Sequence, residues 1–143
     1  MNLFVLINIK HLPLLNEMIS LMYFKGADYS WVGDDDDLRF GEGVQFCWNK
    51  WVDDKRWRGK DEGTVYISDE LKNNSVLRLF SEQELPIIDK RAITVFVKYL
   101  LEIDDKNLWS FDQSNWKSKT DFLSEFKEIL SYSFESALEQ SLK

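Results

Sequence analysis

Cysteine and histidine are almost absent from this chain of 143 residues, in which Cys47 and His11 are the only residues of their types. A single cysteine excludes a disulfide within the chain and a CxxC zinc pair, and it is typical of the reducing cytoplasm. Catalysis with a histidine base would have to use His11, which lies just before Pro13, where a solvated or capping role is commoner. Cys47 lies in an apolar run and is expected to be a small buried hydrophobe. We therefore predict no catalytic residues.

Long apolar runs are also missing. The apolar stretch at residues 3–7 ends at Asn8, Lys10 and Pro13, well short of the roughly 20 residues that a membrane-spanning helix needs. No basic residue precedes it, as one would in a signal peptide. We expect a buried strand here and no membrane anchor.

The chain lacks a recognisable motif for a metal or a phosphate. Residues 34–37 are four aspartates, but an EF-hand loop needs Asp or Asn at its fifth position, where this chain has Leu38 or Arg39. Gly41 and Gly43 lack the third glycine of a dinucleotide fingerprint and the lysine of a P-loop, and their acidic neighbours would repel phosphate. We predict neither a metal site nor a cofactor.

Acidic charge is abundant. The sequence has 25 Asp and Glu against 18 Lys and Arg, a formal net charge of −7, which argues against general binding to nucleic acid or to anionic membranes. The acidic peak lies at residues 28–42, where Arg39 is the only basic residue. Its carboxylates are Asp28, Asp34, Asp35, Asp36, Asp37 and Glu42.

Tryptophans lie beside these charges. Trp57 stands in a basic cluster, residues 55–60, which could contact single-stranded nucleic acid, but acidic residues bracket it on both sides. Trp and Arg are enriched at interface hot spots, so Trp57 and Trp31 are candidate anchors for a protein partner, although either could instead fold back onto the edge of the core. Trp48 and Trp51 fit a core strand. The predicted partner-binding residues are Trp31, Asp34, Asp35, Asp36, Asp37, Glu42, Asp53, Asp54 and Trp57.

Periodicity predicts one α+β domain over residues 1–143. Its N-terminal part is a strand at residues 2–9 and a helix at residues 14–24, stopped by Gly26. A loop follows at residues 25–43. An antiparallel hairpin then joins a strand from Val44 to a return strand at residues 64–67, and residues 76–80 add a further strand.

The second half is predicted to be two helices packed on the sheet. The first starts at Pro86 and continues through Ile103, although residues 92–97 could form a central strand instead. The second runs from a capping box at Ser118 and Asp121 nearly to the C-terminus. Its apolar stripe is Phe122, Phe126, Ile129, Leu130, Phe134, Ala137 and Leu138.

The size, the acidic α+β layout, residues 31–38 (WVGDDDDL) and residues 122–130 (FLSEFKEIL) resemble the small immunity proteins of bacterial polymorphic-toxin and contact-dependent growth-inhibition systems. Membership would imply a cytosolic, non-enzymatic inhibitor that binds a cognate toxin domain, often a nuclease. Two alternatives stay open: a regulatory protein-interaction module, and a small hydrolase that uses carboxylates. The oligomeric state is not predicted.

Overall fold

The apolar run at the N-terminus forms strand β1 (Asn2–Asn8), as predicted. Leu3, Val5 and Ile7 alternate along it and are completely buried, because successive side chains of a strand point to opposite faces of the sheet. A 3₁₀ turn (Ile9–His11) leads into helix α1 (Leu15–Met22), the helix predicted at residues 14–24. This computed structural model describes residues 1–23, 30–32, 43–48 and 62–143; the predicted stop at Gly26 lies outside them.

The described strands form a six-stranded antiparallel sheet in the order β2-β3-β4-β5-β1-β6. The predicted hairpin is confirmed by the pairing of β3 (Val44–Cys47) with β4 (Gly63–Leu71), and the further strand is β5 (Asn74–Phe80). Two edge strands were not predicted. They are β2 (Ser30–Val32), inside the predicted loop at residues 25–43, and β6 (Leu108–Ser110). The loop prediction is therefore wrong at residues 30–32.

Helix α2 (Ile87–Ile103) confirms the predicted helix and shows that the alternative strand at residues 92–97 is wrong. Pro86 is its N-cap and not its first helical residue. Most of its side chains are buried, and they join those of β1, β4 and β5 in a core cluster that extends from Leu3 to Ala137. The apolar periodicity continues for 17 residues, which is longer than a strand and fits a helix packed on several sides.

The predicted last helix is wrong as a single element, because the chain forms three shorter helices. These are α3 (Lys119–Glu125), α4 (Lys127–Leu130) and α5 (Phe134–Ser141). The first break is at Phe126, whose φ of −107° and ψ of 22° depart from helical values. The second precedes Ser133, whose side chain accepts a hydrogen bond from the backbone N–H of Ser136 and caps α5.

The capping box predicted at Ser118 is also wrong. Ser118 is the N-cap of α3, but its side chain makes no capping hydrogen bond. The fold class itself, an α+β sheet with C-terminal helices packed on it, is confirmed. None of the helices in the described ranges is long and apolar enough to cross a membrane.

Candidate functional site

The predicted partner-binding residues lie on the two chain segments that enter and leave strand β3. Trp31 is in β2, at the register position opposite Phe46. The other predicted residues are outside the described parts of the chain, as are the basic cluster at residues 55–60 and Trp51. They are Asp34, Asp35, Asp36, Asp37, Glu42, Asp53, Asp54 and Trp57. Strands β2, β3 and β4, to which these segments are connected, lie within the described residues.

The acidic segment, residues 33–42, joins two neighbouring strands at the edge of the sheet. β2 pairs with β3 through Ser30 with Cys47, Trp31 with Phe46 and Val32 with Gln45, and β2 is the last strand of the sheet on this side. The segment therefore connects the strands of an edge hairpin.

Gly43 fixes the point at which the acidic segment re-enters the sheet. Its φ is +122°, a backbone conformation that L side chains rarely adopt. A Cβ atom here would also lie 3.1 Å from the Cβ of Tyr66 and 3.3 Å from the carbonyl oxygen of Val65. Both the positive φ and the close neighbouring atoms therefore favour glycine at position 43, directly before β3.

The two predicted segments are attached at opposite ends of β3. Val44, which follows the acidic segment, pairs with Val65, whereas Phe46 pairs with Gly63 at the start of β4. Residues 49–61 therefore connect the far end of β3 to β4. The sequence grouped both segments into one candidate site, but the described frame attaches them separately, about one strand length apart.

Beneath this end of the sheet is a buried polar and aromatic cluster, formed by Tyr23, Cys47, Trp48 and Asp89. The Tyr23 hydroxyl donates a 2.5 Å hydrogen bond to Asp89 Oδ1, and both residues are buried. The Trp48 ring centroid lies 6.1 Å from that of Tyr23 and 5.1 Å from that of Phe134. The predicted core position of Trp48 is confirmed, and the cluster ties β3 to α1, α2 and α5.

Cys47 is unsuited to nucleophilic catalysis. Burial, and then the charges of Asp89 and Glu62, raise the pKa of its thiol to about 12. The thiol therefore stays protonated near neutral pH, whereas the thiolate is the nucleophile. The prediction of a buried, apolar role for Cys47 is confirmed.

His11 lies too far from Cys47 to serve as its base. His11 Nδ1 is 3.8 Å from Asp104 Oδ2, at the C-terminal end of α2, whereas Cys47 interacts with Asp89, near the N-terminal end of that helix. Fifteen residues of helix separate the two carboxylates, about 22 Å at 1.5 Å per residue. A Cys–His pair is therefore excluded.

Metal-ligating groups are also dispersed in the described residues. Among them, no three His, Cys, Asp or Glu side chains are close enough to hold a metal ion.

Two surface features were not predicted. The first is a groove of about 600 Å³ between the start of α2 and the C-terminal helices, where Pro86, Ile87, Phe126 and Tyr132 lie beside Glu125 and Glu128. The predicted continuous stripe placed Phe126 and Ile129 inside one helix face and gave no reason to expect a groove. The break before Ser133 was readable as an N-cap signal.

The second feature is on the sheet face opposite α2. Arg78 alternates with the buried Leu77 and Leu79 and therefore points to the other face. Its guanidinium lies 4.7 Å from the Phe80 ring centroid and donates hydrogen bonds to the Tyr66 hydroxyl at 2.7 Å and to Asn2 Oδ1 at 2.8 Å. These contacts satisfy the arginine within the fold, so we assign it a structural role.

Comparisons with protein-family models, with curated proteins and with solved structures found no match for this chain.

Proposed function

We propose that this chain is a non-catalytic inhibitor of the immunity-protein type, which binds and neutralises a basic toxin domain in the cytoplasm. The observation that carries the proposal is the charge of residues 28–42, which contain six carboxylates and one arginine; five of the carboxylates belong to residues 33–42, the chain between the paired strands β2 and β3. A toxin that cleaves nucleic acid holds a phosphate backbone in a cationic cleft. A dense row of carboxylates competes for the same cations.

The attachment of the acidic segment supports this role. Phe46 of β3 and Trp48, which directly follows the strand, pack on the ring of Tyr23, and Gly43 fixes the start of the strand. A frame that does not move on binding lowers the entropy cost of association. Charge accelerates the encounter, whereas buried aromatic anchors such as Trp31 or Trp57 slow dissociation.

Among the described residues, a cysteine–histidine hydrolase has no support. The Cys47 thiol is buried with a raised pKa, and His11 lies 3.8 Å from Asp104 at the other end of α2. A binding role uses the charge without needing an acid–base pair.

The test begins with any toxin domain encoded by a gene that neighbours the gene for this chain. Co-expression should restore growth, and purified protein should bind the toxin domain with a Kd in the nanomolar range or below, about −12 kcal/mol or stronger. Toxin domains that neither bind the chain nor lose their toxicity in its presence would contradict the proposal.

A charge-matched pair of variants locates the binding surface. Changing Asp34, Asp35, Asp36 and Asp37 to Lys should slow association at low salt. The control changes four exposed carboxylates on the C-terminal helices to Lys and alters the net charge equally. They are Glu125, Glu128, Glu135 and Glu139. Stopped-flow rates that fall equally in both variants would show that total charge, and not the acidic segment, steers the partner.

The aromatic anchors are tested by dissociation. Trp57→Ala or Trp31→Ala should raise the dissociation rate with little change in the association rate. If both variants dissociate at the unmodified rate, the anchor is elsewhere.

A further inference from the structure

The groove between the start of α2 and the C-terminal helices is one cavity of about 600 Å³. Binding sites in proteins commonly have volumes of about 300–1,000 Å³ and an apolar lining with a few polar groups. Apolar side chains line this groove from both sides. They are Leu85, Pro86, Ile87, Phe126, Ile129 and Tyr132.

Hydrogen bonds fix the two sides of the groove relative to each other. The backbone N–H of Ile88 donates a 2.9 Å hydrogen bond to Ser141 Oγ, which joins the start of α2 to the end of α5. Arg91 Nε donates a 2.8 Å hydrogen bond to the carbonyl oxygen of Tyr132, which joins α2 to the link between α4 and α5. A ligand therefore meets a surface that is already formed, which lowers the entropy cost of binding.

The charges of the groove are unevenly paired. Among the described residues, three carboxylates and two lysines line it, a net charge of −1. Lys90 Nζ lies 2.9 Å from Glu84 Oε1, so these two charges neutralise each other. Glu125 and Glu128 are exposed and form no ion pair with any described residue. They outnumber the one remaining cation of the lining, Lys143.

The two unpaired carboxylates flank an aromatic ring. Glu125 and Glu128 stand on either side of Phe126 in the chain, and all three line the groove. Lys127 lies between them in sequence but is not part of the lining. The groove therefore offers carboxylates and the rings of Phe126 and Tyr132 to the same ligand. A planar guanidinium suits this combination, because it donates hydrogen bonds to carboxylates and also packs on aromatic faces.

We propose that the groove binds an arginine side chain on a segment of a protein partner, with an apolar neighbour of that arginine against the apolar lining. Phosphate groups and anionic lipids are disfavoured by the unpaired carboxylates, and a second copy of this chain is disfavoured by its net charge of −7. The exposed carboxylates leave the groove open to solvent, so both ends of the bound segment can continue out of it. The proposal is independent of toxin binding, which we assign to the acidic segment.

Capped tripeptides that carry arginine between two leucines or two phenylalanines are the probes. Their termini are acetylated and amidated, so arginine supplies the only charge. In about 0.15 M salt, titration should shift the amide NMR signals of groove residues in the full chain. Replacing arginine by citrulline keeps the shape, removes the charge and should weaken binding by about fivefold or more. Peptides that shift no groove signal at millimolar concentration, or that bind equally well with citrulline, overturn the proposal.

A pair of double variants with matched charge locates the contact on the protein. Glu125→Gln together with Glu128→Gln should weaken peptide binding by about fivefold or more. The control, Glu70→Gln together with Glu139→Gln, removes the same charge at exposed positions outside the lining and should keep the affinity within about twofold. Equal weakening in both double variants would show that only total charge acts, and the groove assignment would be wrong.

The same peptides separate this site from the proposed toxin surface. The variant with Lys at residues 34–37 should slow toxin association but keep peptide affinity within about twofold, since the groove residues are unchanged. The variant with Lys at Glu125, Glu128, Glu135 and Glu139 should lose peptide binding. Peptide binding that is lost in the first variant and kept in the second would place the arginine on the acidic segment and overturn the proposal.

Filling the groove tests the site without changing the charge of its lining. Gln140 is exposed and lines the groove, so Gln140→Phe should occupy part of it and weaken peptide binding by about fivefold or more. Glu139→Phe places the same ring one residue earlier, outside the lining, and should have an effect of less than about twofold. Circular dichroism should show an unchanged fold in both variants. Unchanged peptide affinity in Gln140→Phe would mean that the arginine binds elsewhere.

Discussion

At the scale of the residue, Tyr23 and Asp89 form a buried, hydrogen-bonded pair, and single substitutions can measure its contribution to stability. Tyr23→Phe removes the hydroxyl that donates to Asp89 and leaves the ring in place. A buried carboxyl that loses a donor costs about 1–3 kcal/mol of unfolding free energy. Tyr99→Phe is the control, because Tyr99 is exposed. Urea unfolding should separate the two variants; equal stabilities would show that the Tyr23–Asp89 bond contributes nothing to the fold.

Because folding raises the pKa of the Cys47 thiol, we expect the unfolding free energy to fall at alkaline pH. Its pKa rises from 9.0 to about 12 on folding, so the folded protein keeps the proton longer than the unfolded chain does. The stabilising contribution is complete below about pH 9 and is lost as the pH rises towards 12. Unfolding measured at about pH 7 and about pH 10 should show a smaller decrease in Cys47→Ala than in the unmodified protein. Parallel decreases in both proteins would mean that the thiol does not titrate differently on folding.

Ionisation of Tyr23 should lower the unfolding free energy further at higher pH. Burial, followed by the charge of Asp89 and its hydrogen bond, raises the pKa of the phenol well above 10.0. Its contribution is therefore lost only above about pH 10. The window between about pH 9 and 10 reports mainly on Cys47.

At the scale of the element, the sequence predicted the elements that have a local apolar pattern and missed those that depend on tertiary contacts. β1 and α2 were predicted because their apolar residues repeat with a strand or helix period over seven residues or more. The shorter runs at residues 64–67 and 76–80 predicted only parts of β4 and β5. β6 has only three residues, and its central Trp109 is buried by rings of the C-terminal helices that lie far along the chain. No local pattern specifies such a strand.

The C-terminal segment, predicted as one helix, has one break that depends on tertiary contacts and one that has a local sequence signal. Helical spacing of the apolar residues continues across Phe126, but its ring packs 4.6 Å from Phe122 and 5.8 Å from Trp109, between centroids. The contact with Trp109 belongs to the tertiary structure, whereas Phe122 is one helical turn away. The break before Ser133 is local, since a serine that caps a helix is a recognisable start signal. The candidate site was even less predictable, because a cluster of charges in sequence does not report which strands hold it.

The two serine N-caps give a matched test of capping. Ser133 Oγ accepts the N–H of Ser136 at 3.1 Å, whereas the Ser118 side chain makes no capping bond. Ser133→Ala should therefore lower the unfolding free energy by about 1 kcal/mol, and Ser118→Ala by clearly less. Thermal and urea unfolding of both variants measure the difference. A larger loss at Ser118 would mean that its hydroxyl caps α3 in solution.

At the scale of the whole molecule, net charge opposes self-association and favours a basic partner. Two bodies of charge −7 at a centre-to-centre distance of about 35 Å repel by about 6 kcal/mol in water before screening. This repulsion opposes self-association at low salt, whereas a partner of opposite net charge is attracted over the same distance.

Salt should therefore weaken the proposed toxin binding. Raising the ionic strength from about 0.01 M to about 1 M shortens the Debye length from about 30 Å to about 3 Å. We expect toxin association to slow across this range, because screening removes the long-range attraction between the acidic segment and a basic partner. Stopped-flow association rates over the salt series measure the effect. An association rate that does not change with salt would show that charge does not steer the partner.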